Sequence, residues 1–76
     1  MKLSEARVKA GANYFDFVEI RRNPAKISEF IVWLYGKNGK SFMLCSGDDS
    51  ALSSPEVDFL VAKLKEAGFK QAKIYF

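Results

Sequence analysis

Asp48-Asp49 followed by Glu56 and Asp58 form an acidic cluster, and a hard divalent cation, which takes several oxygen ligands, is what such a cluster could hold. The spacing of an EF-hand loop is missing, and carboxylates near the start of a helix are favoured by the helix dipole without any metal. Capping and solvation are therefore the expected roles, and no metal is assigned. Paired carboxylates also suit acid–base work, but no nucleophile accompanies them. Gly36-Lys37-Asn38-Gly39-Lys40-Ser41 ends like a phosphate-binding loop. The first glycine of that motif would fall at residue 34, which is Leu, and the segment joins two predicted strands where the motif joins a strand to a helix. Histidine is absent, which removes the commonest general base near neutral pH and the commonest metal ligand. With Cys45 the only cysteine, zinc is not expected either. No catalytic residue and no cofactor are assigned, and the chain is read as a binding protein without enzymatic activity.

The side chains that could bind are basic and aromatic. Basic residues fall in three groups: Arg21, Arg22 and Lys26 at one turn, Lys37 and Lys40 at a second, and Lys63, Lys65, Lys70 and Lys73 towards the C-terminus. Lysines on charged helix faces and sheet edges usually serve solvation and deter edge-to-edge association. Trp33, Tyr35 and Phe59, with Lys63 beside Phe59, are the expected anchors for a protein partner, because large aromatic residues dominate binding hot spots. The partner is either another protein or a second copy of this chain. The alternative is a single-stranded nucleic acid, with bases stacking on the rings and phosphates meeting Arg21, Arg22, Lys26, Lys37, Lys40, Lys70 and Lys73. No RNP-type or KH-type sequence supports that alternative. The net charge of +3 permits it without requiring it. Compact chains of this kind are often encoded by viruses and mobile elements as adaptors or inhibitors.

The 76 residues suffice for one domain, residues 1–76. About half are apolar and seven are Phe, enough for a core without metal or disulfide support. A lone Cys45 inside a strand has no partner for an intramolecular disulfide and fits a reducing compartment. The N-terminal residues carry interspersed charges instead of an apolar signal segment, and no run approaches the roughly 20 apolar residues of a membrane span. A cytoplasmic location without membrane contact is the expectation.

The elements that must position these residues are organised around Ile27–Ser46, two apolar runs flanking Asn38-Gly39. Asn and Gly tolerate positive φ, so they close a hairpin. A two-residue Asn38-Gly39 loop would set Trp33 and Tyr35 beside Phe42 and Leu44, whereas a three-residue Lys37-Asn38-Gly39 loop with a bulge sets Val32 and Leu34 there. The second register is preferred, because it gathers Phe30, Val32, Leu34, Phe42 and Leu44 on one aliphatic-rich face fit for a helix. Ile27, Ile31, Trp33 and Tyr35 share the other face, so the sheet is either covered on both sides or exposes an aromatic face to a partner.

Before the hairpin, Tyr14–Arg22 reads as a strand closed by Asn23-Pro24. Strict alternation would put Phe15, Phe17 and Glu19 on one face and Tyr14, Asp16, Val18 and Ile20 on the other. A helix with Ala10, Tyr14, Phe17 and Val18 on one side is the competing reading. Leu3–Ala10 predicts a short helix with Ser4 as N-cap, ended by Gly11-Ala12-Asn13. After the hairpin, Ser53 or Ser54 as N-cap, Pro55 in the first turn and Glu56 in a capping box predict a helix from about Pro55 to Ala67. Gly68 should stop it, with Phe69 folding back on Leu64. Val57, Leu60, Val61, Leu64 and Ala67 form its apolar stripe, with Phe59 opposite. Gln71–Phe76 alternates as a last strand, parallel to strand one or strand three after the helical crossover. The fold class is α+β: a small single-layer, mainly antiparallel sheet made of a three-stranded meander, a helix and a C-terminal strand. That helix packs on one face, and the short N-terminal helix precedes the sheet.

Overall fold

A computed structural model describes all 76 residues. The elements in chain order are α1 (Leu3–Gly11), β1 (Phe15–Asn23), β2 (Lys26–Gly36), β3 (Ser41–Met43), α2 (Val57–Glu66) and β4 (Lys73–Ile74). The strands form one mixed sheet in the order β3-β2-β1-β4, antiparallel throughout except for β4, which runs parallel to β1. The expected α+β architecture is therefore the observed one. Just past β3 the chain meets the N-terminal residues, where the Cys45 N–H donates to the Met1 carbonyl at 2.7 Å and Lys2 bridges to Cys45.

The hairpin adopts the preferred register. Leu34 lies opposite Phe42, the Leu44 N–H donates to the Val32 carbonyl, and the Gly36 N–H donates to the Lys40 carbonyl around a loop of Lys37, Asn38 and Gly39. Gly39 has φ +84°, a conformation that a β-branched residue adopts only with strain. The tip is tied to the start of β1 by the Lys37 N–H on the Tyr14 carbonyl and by Asn38 Nδ2 on the Tyr14 hydroxyl, both at 3.0 Å.

Tyr14–Arg22 is strand and not helix, but alternation fails at its start. Phe15 pairs with Gly36 and Phe17 with Tyr35, so Asp16 is the extra residue of a bulge. The bulge shifts Phe15 onto the face of Val18 and Ile20, packed against the core, and leaves Phe17 with Glu19 on the other. The expected grouping of Phe15 with Phe17 is corrected accordingly.

Both helices cover one face. Ala6 of α1 and Leu60 and Leu64 of α2 share a single buried cluster with Val18, Ile20, Phe30, Val32, Leu34 and Leu44. Of the expected α2 stripe, Leu60, Leu64 and Ala67 are buried and Val57 and Val61 half-buried. The apolar stripe supplies most of the stability of so short a helix, whose propensity alone would not sustain it.

The helix starts differ from expectation. α2 begins at Val57, and its N-cap position, Glu56, has no side-chain cap. The Ser53 side chain and the Ser54 backbone are committed to β2 instead, and the Ser54 hydroxyl reaches only the N-cap residue. Ser54 exchanges backbone hydrogen bonds with Phe30, Ser53 Oγ donates to Glu29 Oε1 at 2.7 Å, and Ser54 Oγ accepts from the Glu56 N–H at 3.0 Å. Likewise α1 begins at Leu3 with Lys2 in the N-cap position, because Lys2 is held extended beside Cys45, and Ser4 caps nothing. Both C-termini follow the Schellman pattern. The Phe69 and Gly68 N–H groups return to the Leu64 and Lys65 carbonyls around Gly68 at φ +95°, and the Tyr14 and Asn13 N–H groups return to Lys9 and Ala10 around Asn13 at φ +59°. β4 is shorter than Gln71–Phe76. Phe69 is anchored on Phe15 with ring centroids 5.3 Å apart, and the chain joins β1 only at Lys73.

Candidate binding face

The side chains that alternate with the core residues point away from both helices. On β1 these are Phe17, Glu19 and Arg21, on β2 Ile31, Trp33 and Tyr35, and on β3 Ser41 and Met43. Registration arranges them in cross-strand rows: Phe17 beside Tyr35 and Ser41, and Lys73 beside Glu19, Trp33 and Met43. The Phe17 and Tyr35 rings stack with centroids 4.4 Å apart and planes at 16°. Phe17 and Tyr75 stay 44% and 40% exposed, and Trp33 and Tyr35 are half-buried. No third layer covers these rings.

A carboxylate organises the centre of this face. Glu19 is only 6% exposed, and its Oε1 accepts from the Tyr35 hydroxyl and from Arg21 Nε, each at 2.8 Å. The Arg21 guanidinium in turn lies over the Tyr75 ring at 4.4 Å. The Arg21 hydrogen bond holds the Glu19 carboxyl below its ordinary range against the opposing effect of burial, and the Tyr35 bond adds to it. The same bond from Glu19, with burial, pushes the Tyr35 hydroxyl up. Charge on Arg21 is thus satisfied within the face.

The expected binding residues are not brought together. Trp33 and Tyr35 lie on the helix-free face, whereas Phe59 and Lys63 lie on α2, with Lys63 Nζ 5.5 Å from the Phe59 ring centroid. Phe59 is 43% exposed; Leu3 of α1 lines the same groove, while Val8 on α1 is exposed. The basic residues also scatter. Arg21 and Lys73 belong to the helix-free face, and Lys70 borders a groove of about 340 Å³ between the start of β1 and the chain entering β4. Arg22 points the opposite way, over the Phe30 ring at 4.4 Å, and donates to the Ile27 carbonyl. Lys26 pairs with Glu29 at 3.0 Å, and Lys37 and Lys40 are exposed at the hairpin tip.

Sequence reasoning did not single out Phe17, Glu19 or Tyr75. The signal for Phe17 was its strand parity with Glu19, and the signal for Tyr75 was its parity with Lys73. The acidic cluster does not converge, and no group of three His, Cys, Asp or Glu side chains is placed to hold a metal ion. Asp48 accepts instead from the Ser46 and Ser50 hydroxyls and the Ser50 N–H, which lower its pKa to about 2. No helix is long and apolar enough to cross a membrane. Comparison with protein families, with curated proteins and with solved structures finds no match to this chain.

Proposed function

We propose that this protein is a non-catalytic binding module that docks another protein on the helix-free face of its sheet. One observation carries the reading: a face without a covering layer displays Phe17, Trp33, Tyr35 and Tyr75 over a satisfied Glu19–Arg21 pair. Exposed aromatic side chains on a rigid sheet lose little conformational entropy on binding, and such clusters mark interfaces. The Glu19 carboxylate at the centre disfavours phosphate and neutralises Arg21, which leaves Lys73 as the cation of the central row.

A single-stranded nucleic acid is the second reading. It is favoured by the stacked Phe17 and Tyr35 rings with Arg21 and Lys73 on the same face. Salt separates the two. Trp33 is the only tryptophan, so its fluorescence reports occupancy of this face directly. Captured protein should survive nuclease treatment and high salt, alter Trp33 emission, and be lost with Trp33→Ala. Binding that collapses between about 50 and 200 mM salt through counterion release, and that nuclease abolishes, would assign the face to nucleic acid. Sedimentation at increasing protein concentration identifies a second copy of the chain as the partner.

A further inference from the structure

We infer that the groove between the start of α1 and the outward side of α2 is a second docking site, and that its occupant is an acidic segment of a partner protein carrying an aliphatic side chain beside its carboxylates. The groove encloses about 390 Å³; Leu3, Leu52 and Phe59 supply its apolar lining and Lys2 and Lys63 its charge, and no carboxylate lines it. It belongs to the helical side of the molecule and shares no residue with the face that holds Trp33 and Tyr35.

Charge complementarity selects the occupant. Lys2 and Lys63 contact carboxylates only at 3.6 Å, on Asp49 and Glu66, which are themselves 78% and 64% exposed. Exposed pairs of this kind contribute little and yield readily to a better-placed anion. Asp48, the other carboxylate of the neighbouring loop, is taken up by Ser46 and Ser50. The first turn of α1 contributes Leu3 and Ser4 to the lining and carries Glu5 outside it, so the positive charge of the groove rests on Lys2 and Lys63. An anionic ligand is thus attracted, and the lining decides its other half. With one ring and two leucines, the groove offers an aliphatic side chain its contacts but gives successive bases no stacking platform.

The test is an amide chemical-shift titration of the whole protein with a peptide of about eight alternating leucine and aspartate residues. An asparagine-for-aspartate peptide and an oligothymidylate of similar length serve as the other ligands. The acidic peptide should shift amides of residues 46–52 and 59–63. Affinity should fall about ten-fold or more with the asparagine peptide and with Lys63→Glu. Phe59→Ala should abolish the shifts while the spectrum stays dispersed; if that variant loses its fold, Lys63→Glu on the exposed rim still decides. Equal binding of the asparagine peptide, shifts confined to residues around Trp33, or no shifts at all would overturn the proposal. So would preferential shifts with oligothymidylate, or shifts of the groove amides that grow with protein concentration alone, which would assign the groove to nucleic acid or to a second copy. Because Trp33 emission reads the sheet face separately, failure here leaves the reading of that face untouched.

Discussion

Leu34 and Trp33 are neighbours on one strand and belong to different environments. Leu34 is fully buried under the helices, and Trp33 stands half-buried on the uncovered side. The same contrast runs across the sheet. On the helical side, Val18, Ile20, Val32 and Leu34 pack without polar partners, as aliphatic side chains in a close-packed interior do. On the other side, apolar rings surround a hydrogen-bonded Glu19. Shape alone decides stability on the first face, whereas on the second a satisfied polar network holds rings in place while leaving them accessible. The lesson is that one backbone supports a close-packed core and an uncovered aromatic face at once, separated by a single residue of phase.

Four changes test that contrast. Leu34→Ala should cost about 2–5 kcal/mol, since it opens a cavity in the covered face, and the urea midpoint measures it. Trp33→Ala should cost far less in stability, about 1 kcal/mol, while removing more than about 2 kcal/mol of partner affinity. Equal destabilisation by the two would show that the sheet has two cores and no recognition face. Glu19→Gln should lower stability at neutral pH by about 1–2 kcal/mol through loss of the charged hydrogen bond from Arg21.

That third variant also predicts a pH signature. Because the folded Glu19 carboxyl titrates below its ordinary value of 4.5, its contribution is complete above that value and is lost as pH falls through the folded value. Glu29 and Asp48 are lowered too and act in the same acid range. Urea midpoints followed from neutral pH into that range should therefore drop less steeply in Glu19→Gln than in the parent, with the remaining slope due to the others. An unchanged slope would mean that Arg21 leaves Glu19 in solution. The smallest effect belongs to Phe59→Ala, expected to stay within about ±0.5 kcal/mol of the parent in thermal stability. A larger loss would place Phe59 in the core and merge the groove with it.

Much of this was legible in the residues. Asn38-Gly39 between apolar runs determines the hairpin, and the apolar set Val32, Leu34, Phe42 and Leu44 selects its register, because a slip by one residue would turn Phe42 and Leu44 off the core face that holds Val32 and Leu34. Gly68-Phe69 announces the end of α2 by local chemistry alone. The helix starts were not legible. Ser53 and Ser54 carry a capping signal that tertiary pairing with Glu29 and Phe30 overrides, and Lys2 is held beside Cys45, past the end of β3. Of the candidate site, Trp33 and Tyr35 were recognisable from strand parity. Phe15 was misplaced by the Asp16 bulge, which no glycine marks, and the place of Tyr75 depends on which strand β4 joins.

The pairings at the two sheet edges have a kinetic consequence. Lys2 with Cys45, and Lys73 and Ile74 with Glu19 and Ile20, each close more than half of the chain into a loop, whereas β1, β2 and β3 are joined by tight turns. Loop-closure entropy makes distant pairings form after local ones. The sheet should therefore grow outward from β1–β2–β3, with both edges zipping last and opening first, so that the Cys45 and Tyr75 amides exchange with solvent well before those of Val32 and Leu34.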